Sequence, residues 1–409
     1  MKVLVVEDSQ MVSRVLQRLF QTSDIPLETI FCSTLKDAQS VIDHQDDIFV
    51  ALVDLNLPDA PDGEVVELML AQSLPTIVLT SSYNDQRREA LLKLGVVDYI
   101  VKESRFSYEY TIQLIQRLIK NQHIKILVTD DSSSYRQLIR KHLERHLYQV
   151  CEAEHGRNAI EMLQQEPDIR LLLTDYEMPV MDGIELIQCI RKEYETSDLK
   201  IIGLSAADNP ALSSKFIKSG ANDFLKKPFN YEELHCRVMH NLQEMELVEQ
   251  IKEAANRDYL TGLHNRRYLF DQASGVMSSS ASTCLAMMDL DLFKSINDTY
   301  GHNAGDAVLI QIADLMKRSF QRFLLARIGG EEFCILLPGL NLEQSALLMQ
   351  HFCQLVHDTT FEFEQQELPV TVSIGLAQKQ SDNLTKLMNC ADEMLYKAKE
   401  SGRNRVVYE

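Results

Sequence analysis

The sequence has no CxxC pair, no apolar run long enough to cross a membrane and no block of basic residues. Its eight cysteines (Cys32, Cys151, Cys189, Cys236, Cys284, Cys334, Cys353 and Cys390) are scattered. That argues against a disulfide framework or a zinc site and reads as reduced thiols. Nothing approaches the ~18 consecutive apolar residues of a membrane span, so no membrane is expected as a partner. Met1-Lys2 is followed by only four apolar residues before Glu7-Asp8. No signal peptide is expected, and the location read from the sequence is cytoplasmic. Lysine and arginine number 41 against 60 aspartate and glutamate, a formal charge of −19. A nucleic-acid binder needs a basic footprint to displace counterions, so a nucleic-acid polymer is not an expected partner. The 409 residues are 45% hydrophobic and 25% charged, an ordinary globular composition with length for two to three domains.

The first two thirds contain an internal repeat. KVLVVEDS (2–9) and KILVTDDS (125–132) are one phrase, a β-branched run stopped by two acids and a serine. Three more pairs follow: VALVDLNLPD (50–59) with LLLTDYEMPV (171–180), TIVLTSS (76–82) with IIGLSAA (201–207), and GVVDYIVK (95–102) with GANDFLKK (220–227). The offsets are 123 from Asp8 to Asp131, 121 from Asp54 to Asp175, and 125 both from Thr80 to Ser205 and from Lys102 to Lys227. Short apolar runs ending at loops read as buried parallel strands, and the stretches between them (10–20, 134–146, 212–219) read as helices. Alternating strand and helix predicts a parallel sheet covered on both faces. In such sheets ligand chemistry gathers at the carboxyl ends of the strands.

The polar residues fall at those ends. They are Glu7, Asp8, Asp54, Thr80 and Lys102 in the first copy, and Asp130, Asp131, Asp175, Ser205 and Lys227 in the second. Three clustered carboxylates repel unless a cation neutralises them, and Mg²⁺ prefers such hard oxygen ligands. A hydroxyl and an ammonium nearby could hold phosphoryl oxygens on the central aspartate. For any one residue a helix cap or a solvated charge is explanation enough; five residue types repeated in register are harder to explain that way.

These two segments, about 1–120 and 124–243, resemble the receiver domain of two-component response regulators. The resemblance implies two doubly wound, flavodoxin-like parallel sheets. It places phosphoacceptors at Asp54 and Asp175, and Mg²⁺-binding acids at Glu7, Asp8, Asp130 and Asp131. Switch hydroxyls fall at Thr80 and Ser205, switch aromatics at Tyr99 and Phe224, and the conserved-type lysines at Lys102 and Lys227. The implied partner is a sensor histidine kinase or a phosphotransfer protein. The first copy departs in two places. Its loop is one residue longer, since Asp54 to Gly63 is 9 and Asp175 to Gly183 is 8, and it has Lys102-Glu103 where the second has Lys227-Pro228.

Residues 231–257 contain no proline or glycine. Val238, Leu242, Met245, Val248 and Ile251 form an apolar stripe, which predicts a continuous helix leaving the second receiver, with 244–257 as a helical linker. It could pack on the receiver or pair with its twin in a dimer. The remainder, 258–409, opens on DYLTGLHNRR. It continues with CLAMMDLDLFKSINDTYGHNAGDAVL (284–309), predicting a strand over 284–288 that ends at Asp289, a helix carrying Lys294 and Asn297, and a helix opening at Gly305-Asp306. LLARIGGEEFCILL (324–337) predicts a hairpin about Gly329-Gly330. LPVTVSIGLA (368–377) predicts a strand, and 391–405 a last helix with Gly402 as its C-cap. Asp289 and Glu331 could share Mg²⁺ ions for phosphoryl chemistry. Asn297 and Asp306 could read a base edge, and Lys294, Lys399 and Arg403 could neutralise a polyphosphate.

This last third resembles the GGDEF, or diguanylate cyclase, family, whose domain is α+β and nucleotidyl-cyclase-like. The resemblance places the signature at Gly329-Gly330-Glu331-Glu332-Phe333 and metal ligands at Asp289, the Leu290 carbonyl and Glu331. Glu331 becomes the proton acceptor and Lys294 the transition-state stabiliser. Asn297 and Asp306 become guanine readers, His302 a substrate contact, and Lys399 and Arg403 triphosphate contacts. The implied activity is condensation of two GTP into cyclic di-GMP in a homodimer, under control of receiver phosphorylation. Two alternatives are a catalytically silent GTP or cyclic-dinucleotide receptor and a phosphotransfer hub. The family's product-inhibition RxxD motif is replaced by Phe320-Gln321-Arg322-Phe323, so strong feedback inhibition is not expected.

Overall fold

The computed structural model describes residues 1–23, 27–206, 210–280, 282–381 and 383–409. It divides into two compact units, Met1–Glu246 and Leu247–Glu409.

The first unit holds the repeat as two five-stranded sheets. Copy one runs β1 (Lys2–Val6), α1 (Gln10–Gln21), β2 (Glu28–Cys32), α2 (Leu35–His44), β3 (Ile48–Asp54), α3 (Glu64–Ala71), β4 (Thr76–Thr80), α4 (Asp85–Leu94), β5 (Asp98–Val101) and α5 (Arg105–Asn121). Its strands are all parallel in the order β2-β1-β3-β4-β5. Copy two repeats this with β6 (Lys125–Thr129), α6 (Ser133–Arg145), β7 (Gln149–Ala153), α7 (Gly156–Gln165), β8 (Ile169–Asp175), α8 (Gly183–Ile190), β9 (Lys200–Ser205), α9 (Pro210–Lys218), β10 (Asp223–Lys226) and α10 (Tyr231–Asn256), in the order β10-β9-β8-β6-β7. Both sheets are buried on both faces. Val3 and Val5 enter one core with Leu52 and Ile77, while Leu4 and Val6 enter another with Ala51, Val53 and Val78, as the two-residue period of a strand dictates. The serine that follows the paired acids is a helix cap in each copy: Ser9 accepts from the Val12 N–H and Ser132 from the Tyr135 N–H. Helix α10 runs unbroken through the boundary between the units. Its apolar stripe is buried at Val238, Leu242 and Met245, whereas Ile251 is 60% exposed.

The second unit comprises β11 (His264–Asn265), α11 (Arg266–Ser279), β12 (Thr283–Leu290), α12 (Phe293–Tyr300), α13 (His302–Ser319), β13 (Leu324–Gly329), β14 (Glu332–Pro338), α14 (Leu342–Asp358), β15 (Phe361–Phe363), β16 (Gln366–Leu368), β17 (Val372–Gln378), α15 (Leu384–Glu400) and β18 (Val406–Tyr408). Its six-stranded sheet has the order β11-β13-β14-β12-β17-β18 and mixes directions. Strand β12 is antiparallel to β14 and β17, and β18 is parallel to β17. Central β12 is buried along its whole length.

Three sequence expectations are corrected here. The run 368–377 is not one strand: Leu368 ends β16, which pairs with β15, and β17 begins at Val372. Pro369 between them has no N–H to give a ladder. The last helix does not cover 391–405. It starts earlier, where Asn383 caps the Lys386 N–H, and ends at Glu400; Gly402, Arg403 and Asn404 follow with left-handed φ of 110°, 62° and 46°. Helix α13 opens at His302 rather than Gly305, after Gly301 turns the chain with φ 86°.

Candidate functional site

The strand ends of the first unit bring the repeated residues together twice. In copy one the Lys102 ammonium lies 2.6 Å from Glu7 Oε2 and 2.7 Å from Asp54 Oδ2. In copy two Lys227 lies 2.5 Å from Asp130 Oδ2 and 2.6 Å from Asp175 Oδ1. Each lysine is placed by its backbone, because its N–H bonds the carbonyl of Thr80 or Ser205 at 2.8 Å. The Lys102-Glu103 departure therefore leaves the ammonium where its counterpart sits. Glu7, Asp54, Asp130 and Asp175 are buried, while Asp8 and Asp131 are exposed at the mouths. In each copy the three acids offer ligand atoms within 4.8 Å of one another. Three carboxylates and one ammonium leave an excess of negative charge on hard oxygens, a donor set that fits a divalent cation.

Burial pushes the Glu7 and Asp175 carboxyls above the ordinary range, against the pull of the adjacent lysine. Burial also works to lower Lys102 and Lys227, but their paired carboxylates outweigh it and hold both ammoniums above the usual value. Around the clusters, the Tyr99 hydroxyl donates to the Ser82 carbonyl at 3.0 Å, and Thr80 Oγ1 donates to the same oxygen at 3.3 Å. Ser205 is buried, and half-buried Phe224 packs on Phe216 with centroids 5.5 Å apart. Gly183 is required by close approach, since a Cβ there would lie 2.2 Å from the Asp175 carbonyl oxygen. The extra residue in copy one folds into a Leu57–Ala60 turn, and the Asp59 carboxylate within it accepts from the Leu35 and Lys36 N–H groups at the start of α2.

In the second unit, Asp289 at the end of β12 is opposite Glu332 on β14 and Ser373 on β17. The Lys399 ammonium of α15 lies 2.8 Å from Asp289 Oδ2. Burial pushes the Asp289 carboxyl up to about 6; Lys399 pulls it down, and Glu331 and Glu332 push it further up. The Leu290 N–H donates to the Glu331 carbonyl at 3.4 Å, which brings the half-buried Glu331 to the same strand end. The two carboxylates and the Leu290 carbonyl are again hard oxygens suited to Mg²⁺, with the Lys399 cation already drawn to one of them.

The other predicted residues lie on neighbouring elements. Lys294 is exposed and Asn297 half-buried on α12, while His302 and Asp306 are exposed in the first turns of α13. Asn297 lies over Gly305, where a Cβ would come within 2.0 Å of its Oδ1. Arg403 is exposed on the turn after α15 rather than on the helix itself.

Three contributors escaped the sequence reading. Asp291, two residues past Asp289, is buried and accepts from Thr371 Oγ1 (2.8 Å), Ser373 Oγ (2.6 Å) and the Asn404 N–H (3.0 Å). Arg327 donates through Nε and Nη2 to the Gly330 carbonyl (2.9 and 2.7 Å), while its Nη1 reaches Asp258 at 2.9 Å. Asp258 also accepts from the Thr261 N–H and hydroxyl. The Gly-Gly turn is thus bolted to the segment that opens the unit; the DYLTG phrase was visible, but the partner of its aspartate was not. Phe320 is 1% exposed and packs on Phe352, so a core side chain stands where the family's product-inhibition motif begins.

Comparison with known proteins gives the families of the two units. Residues 3–108 and 126–239 match the response regulator receiver domain, and residues 255–405 match the diguanylate cyclase, GGDEF domain. The response regulator PleD of Caulobacter vibrioides is 29% identical over 299 residues, 69% of this chain and 65% of that protein. DgcT of Escherichia coli K12, named a probable diguanylate cyclase, is 38% identical over 163 residues, 38% of this chain and 36% of that protein. A solved two-component response regulator/GGDEF domain protein is 45% identical with a TM-score of 0.56, covering 60% of this chain and 99% of that one. The chain thus spans a little under two thirds of PleD's length. Fold and match define a multidomain α/β signalling protein. It belongs to the response regulators, with two receiver domains in tandem and a C-terminal GGDEF domain.

Proposed function

We propose that the chain is a diguanylate cyclase, condensing two GTP into cyclic di-GMP and two pyrophosphates under the control of its receivers. The observation that carries this reading is the Asp289–Lys399 pair beside the Glu331 hairpin, on a domain whose relatives include proteins named as diguanylate cyclases. In each half-reaction the 3′-oxygen of one GTP attacks the α-phosphorus of the other. Glu331 takes the hydroxyl proton, a P–O bond forms, and the bond to pyrophosphate breaks. Asp289, Glu331 and the Leu290 carbonyl would hold Mg²⁺, which would neutralise charge on the phosphoryl oxygens. Lys294 stabilises the charge of the transition state, while Lys399 and Arg403 offset that of the triphosphate. Asn297 and Asp306 read the guanine edge, with His302 against the substrate.

One domain offers one such site, and two GTP must face each other, so the reading requires two copies of the chain. Phosphorylation at Asp54 and Asp175 is the input, and Glu7, Asp8, Asp130 and Asp131 would hold the Mg²⁺ that would offset the charge of the phosphoryl oxygens. Thr80, Tyr99 and Lys102, and Ser205, Phe224 and Lys227, respond to it. A shift of about 1.4 kcal/mol in a dimer equilibrium is enough for about tenfold activation. The test is chromatography of GTP with Mg²⁺, with and without beryllofluoride. Cyclic di-GMP that rises with beryllofluoride supports both halves of the proposal. Product indifferent to it removes the control, and no product at dimerising concentrations removes the enzyme.

A further inference from the structure

The two receivers carry the same groove, and among the described residues of the first unit only that of receiver 2 is partly closed, by the other receiver. In receiver 1 a groove of about 580 Å³ runs between α1 and the start of α5, lined by Gln10, Met11, Arg14, Val15, Leu19 and Arg105. It abuts the Asp54 site, since Gln10 follows Ser9, whose N–H bonds Glu7, and Arg105 is three residues past Lys102. Its floor is apolar, its rim carries Arg14, Arg18 and Arg105, and Met11 is 79% exposed. Among the described residues, the ion pair recorded for this rim is Arg105 with Glu109.

The repeat locates the counterpart. Val15, Arg18 and Leu19 advance by 123 to Leu138, Lys141 and His142, and Arg105 advances by 125 to Asn230. Those four residues line a second groove, of about 410 Å³, whose opposite wall is α4 of receiver 1, through Arg88, Glu89, Leu92 and Lys93. Arg88 forms an ion pair with Glu232, and the Tyr231 hydroxyl donates to the Val97 carbonyl at 2.9 Å. In receiver 1 the positions equivalent to Tyr231 and Glu232 are Phe106 and Ser107, so the phenol and the acid that anchor α4 are missing there. Two of the receivers' own helices are wrong in charge to fill it. Helix α4 (DQRREALLKL) is net positive and α9 (PALSSKFIK) has two lysines and no acid, against three arginines on the rim.

We propose that the receivers are unequal targets for a protein phosphodonor. The open groove of receiver 1 takes an acidic helix of a phosphohistidine protein, which phosphorylates Asp54. The same groove of receiver 2 is walled off by α4, so Asp175 receives phosphate from small donors while the receivers stay paired. In the transfer the donor's P–N bond breaks, a P–O bond forms to an Asp54 carboxylate oxygen, and the freed imidazole takes up a proton. This rests on the receiver chemistry proposed above.

The test uses the full chain as Asp54→Asn and as Asp175→Asn, with phosphoramidate as small donor and a panel of purified phosphohistidine-bearing phosphotransfer domains as large ones. Phosphoramidate is expected to label both variants. The domains are expected to label Asp175→Asn at least about tenfold faster than Asp54→Asn. Adding Arg14→Glu and Arg18→Glu should slow that domain reaction about tenfold and leave phosphoramidate labelling unchanged. Adding Arg88→Glu to Asp54→Asn should open Asp175 to the domains. Equal domain labelling of both variants overturns the proposal. So does insensitivity to the Arg14 and Arg18 changes, or labelling by phosphoramidate with none by any domain. Failure of phosphoramidate at both sites brings down the receiver chemistry and this inference with it.

Discussion

Asp289 and Asp291 stand two residues apart at one strand end and have different fates. Asp291 is saturated by three donors from β17, its preceding residue and the turn after α15. Asp289 has a lysine on one oxygen and faces the hairpin acid. Asp289→Asn is therefore expected to abolish cyclic di-GMP formation while leaving the thermal midpoint near that of the parent chain. Asp291→Ala strips a buried charge from donors that have no substitute. It should cost about 3 kcal/mol in urea denaturation of the GGDEF domain. The phrase DLD was legible in the sequence, but the division of labour was not, because the partners of Asp291 are 80 to 113 residues away. Gly305 offers a finer test. A methyl there displaces the end of the Asn297 side chain, which can move, and presses on the edge of the buried Phe293 ring at 3.1 Å, which needs to give by only a few tenths of an ångström. Gly305→Ala should raise KM for GTP about tenfold with little change in stability, read from steady-state kinetics and a melting curve.

At the scale of elements, the hairpin and the root of α10 each depend on one polar device. Arg327 holds the Gly330 carbonyl through two N–H groups and Asp258 through a third. Arg327→Ala should lower kcat more than it raises KM, since the turn that presents Glu331 loses its anchor, with a stability loss of about 2 kcal/mol. At the root of α10 the rings of His146 and His235 stack 3.4 Å apart, and His146 Nε2 meets the Tyr231 hydroxyl. Burial, then positively charged neighbours, holds both imidazoles below their ordinary value, His235 at about 4.

The folded receivers therefore keep these rings neutral, while an unfolded chain protonates them below about pH 6.5. Stability is complete above that pH and drains away as pH falls from about 6.5 to about 4, by about 3 kcal/mol for His235. Hydrogen exchange across 231–245 should show protection falling over that window, and a His235→Leu chain should lose much of the slope. Periodicity alone foretold a helix over 231–257 but could not foretell this packing. The errors over 368–377 and 391–405 lay in the element limits, since Pro369 separates two strands with different partners and left-handed residues after Glu400 end the helix.

For the molecule as a whole, the duplication was the most legible feature, because register in a parallel sheet repeats in sequence. How the two copies meet was not legible: it depends on Arg88, Val97, Tyr231 and Glu232, which mean nothing until the receivers are folded. Catalysis by facing domains predicts that specific activity climbs with protein concentration and levels off as dimers saturate. A linear dependence of rate on concentration over the whole range, in a chain that sediments as a monomer, would remove that requirement. The clasp on Asp291 also sets an order in time. The receivers need nothing beyond residue 246 to complete their cores, and domains fold as units from the N-terminus during synthesis. The GGDEF sheet waits for the Asn404 N–H and for β18 to lie along β17. On the ribosome the receiver half is thus finished before the GGDEF half, and a nascent chain broken off before residue 404 carries folded receivers beside an unfinished GGDEF sheet.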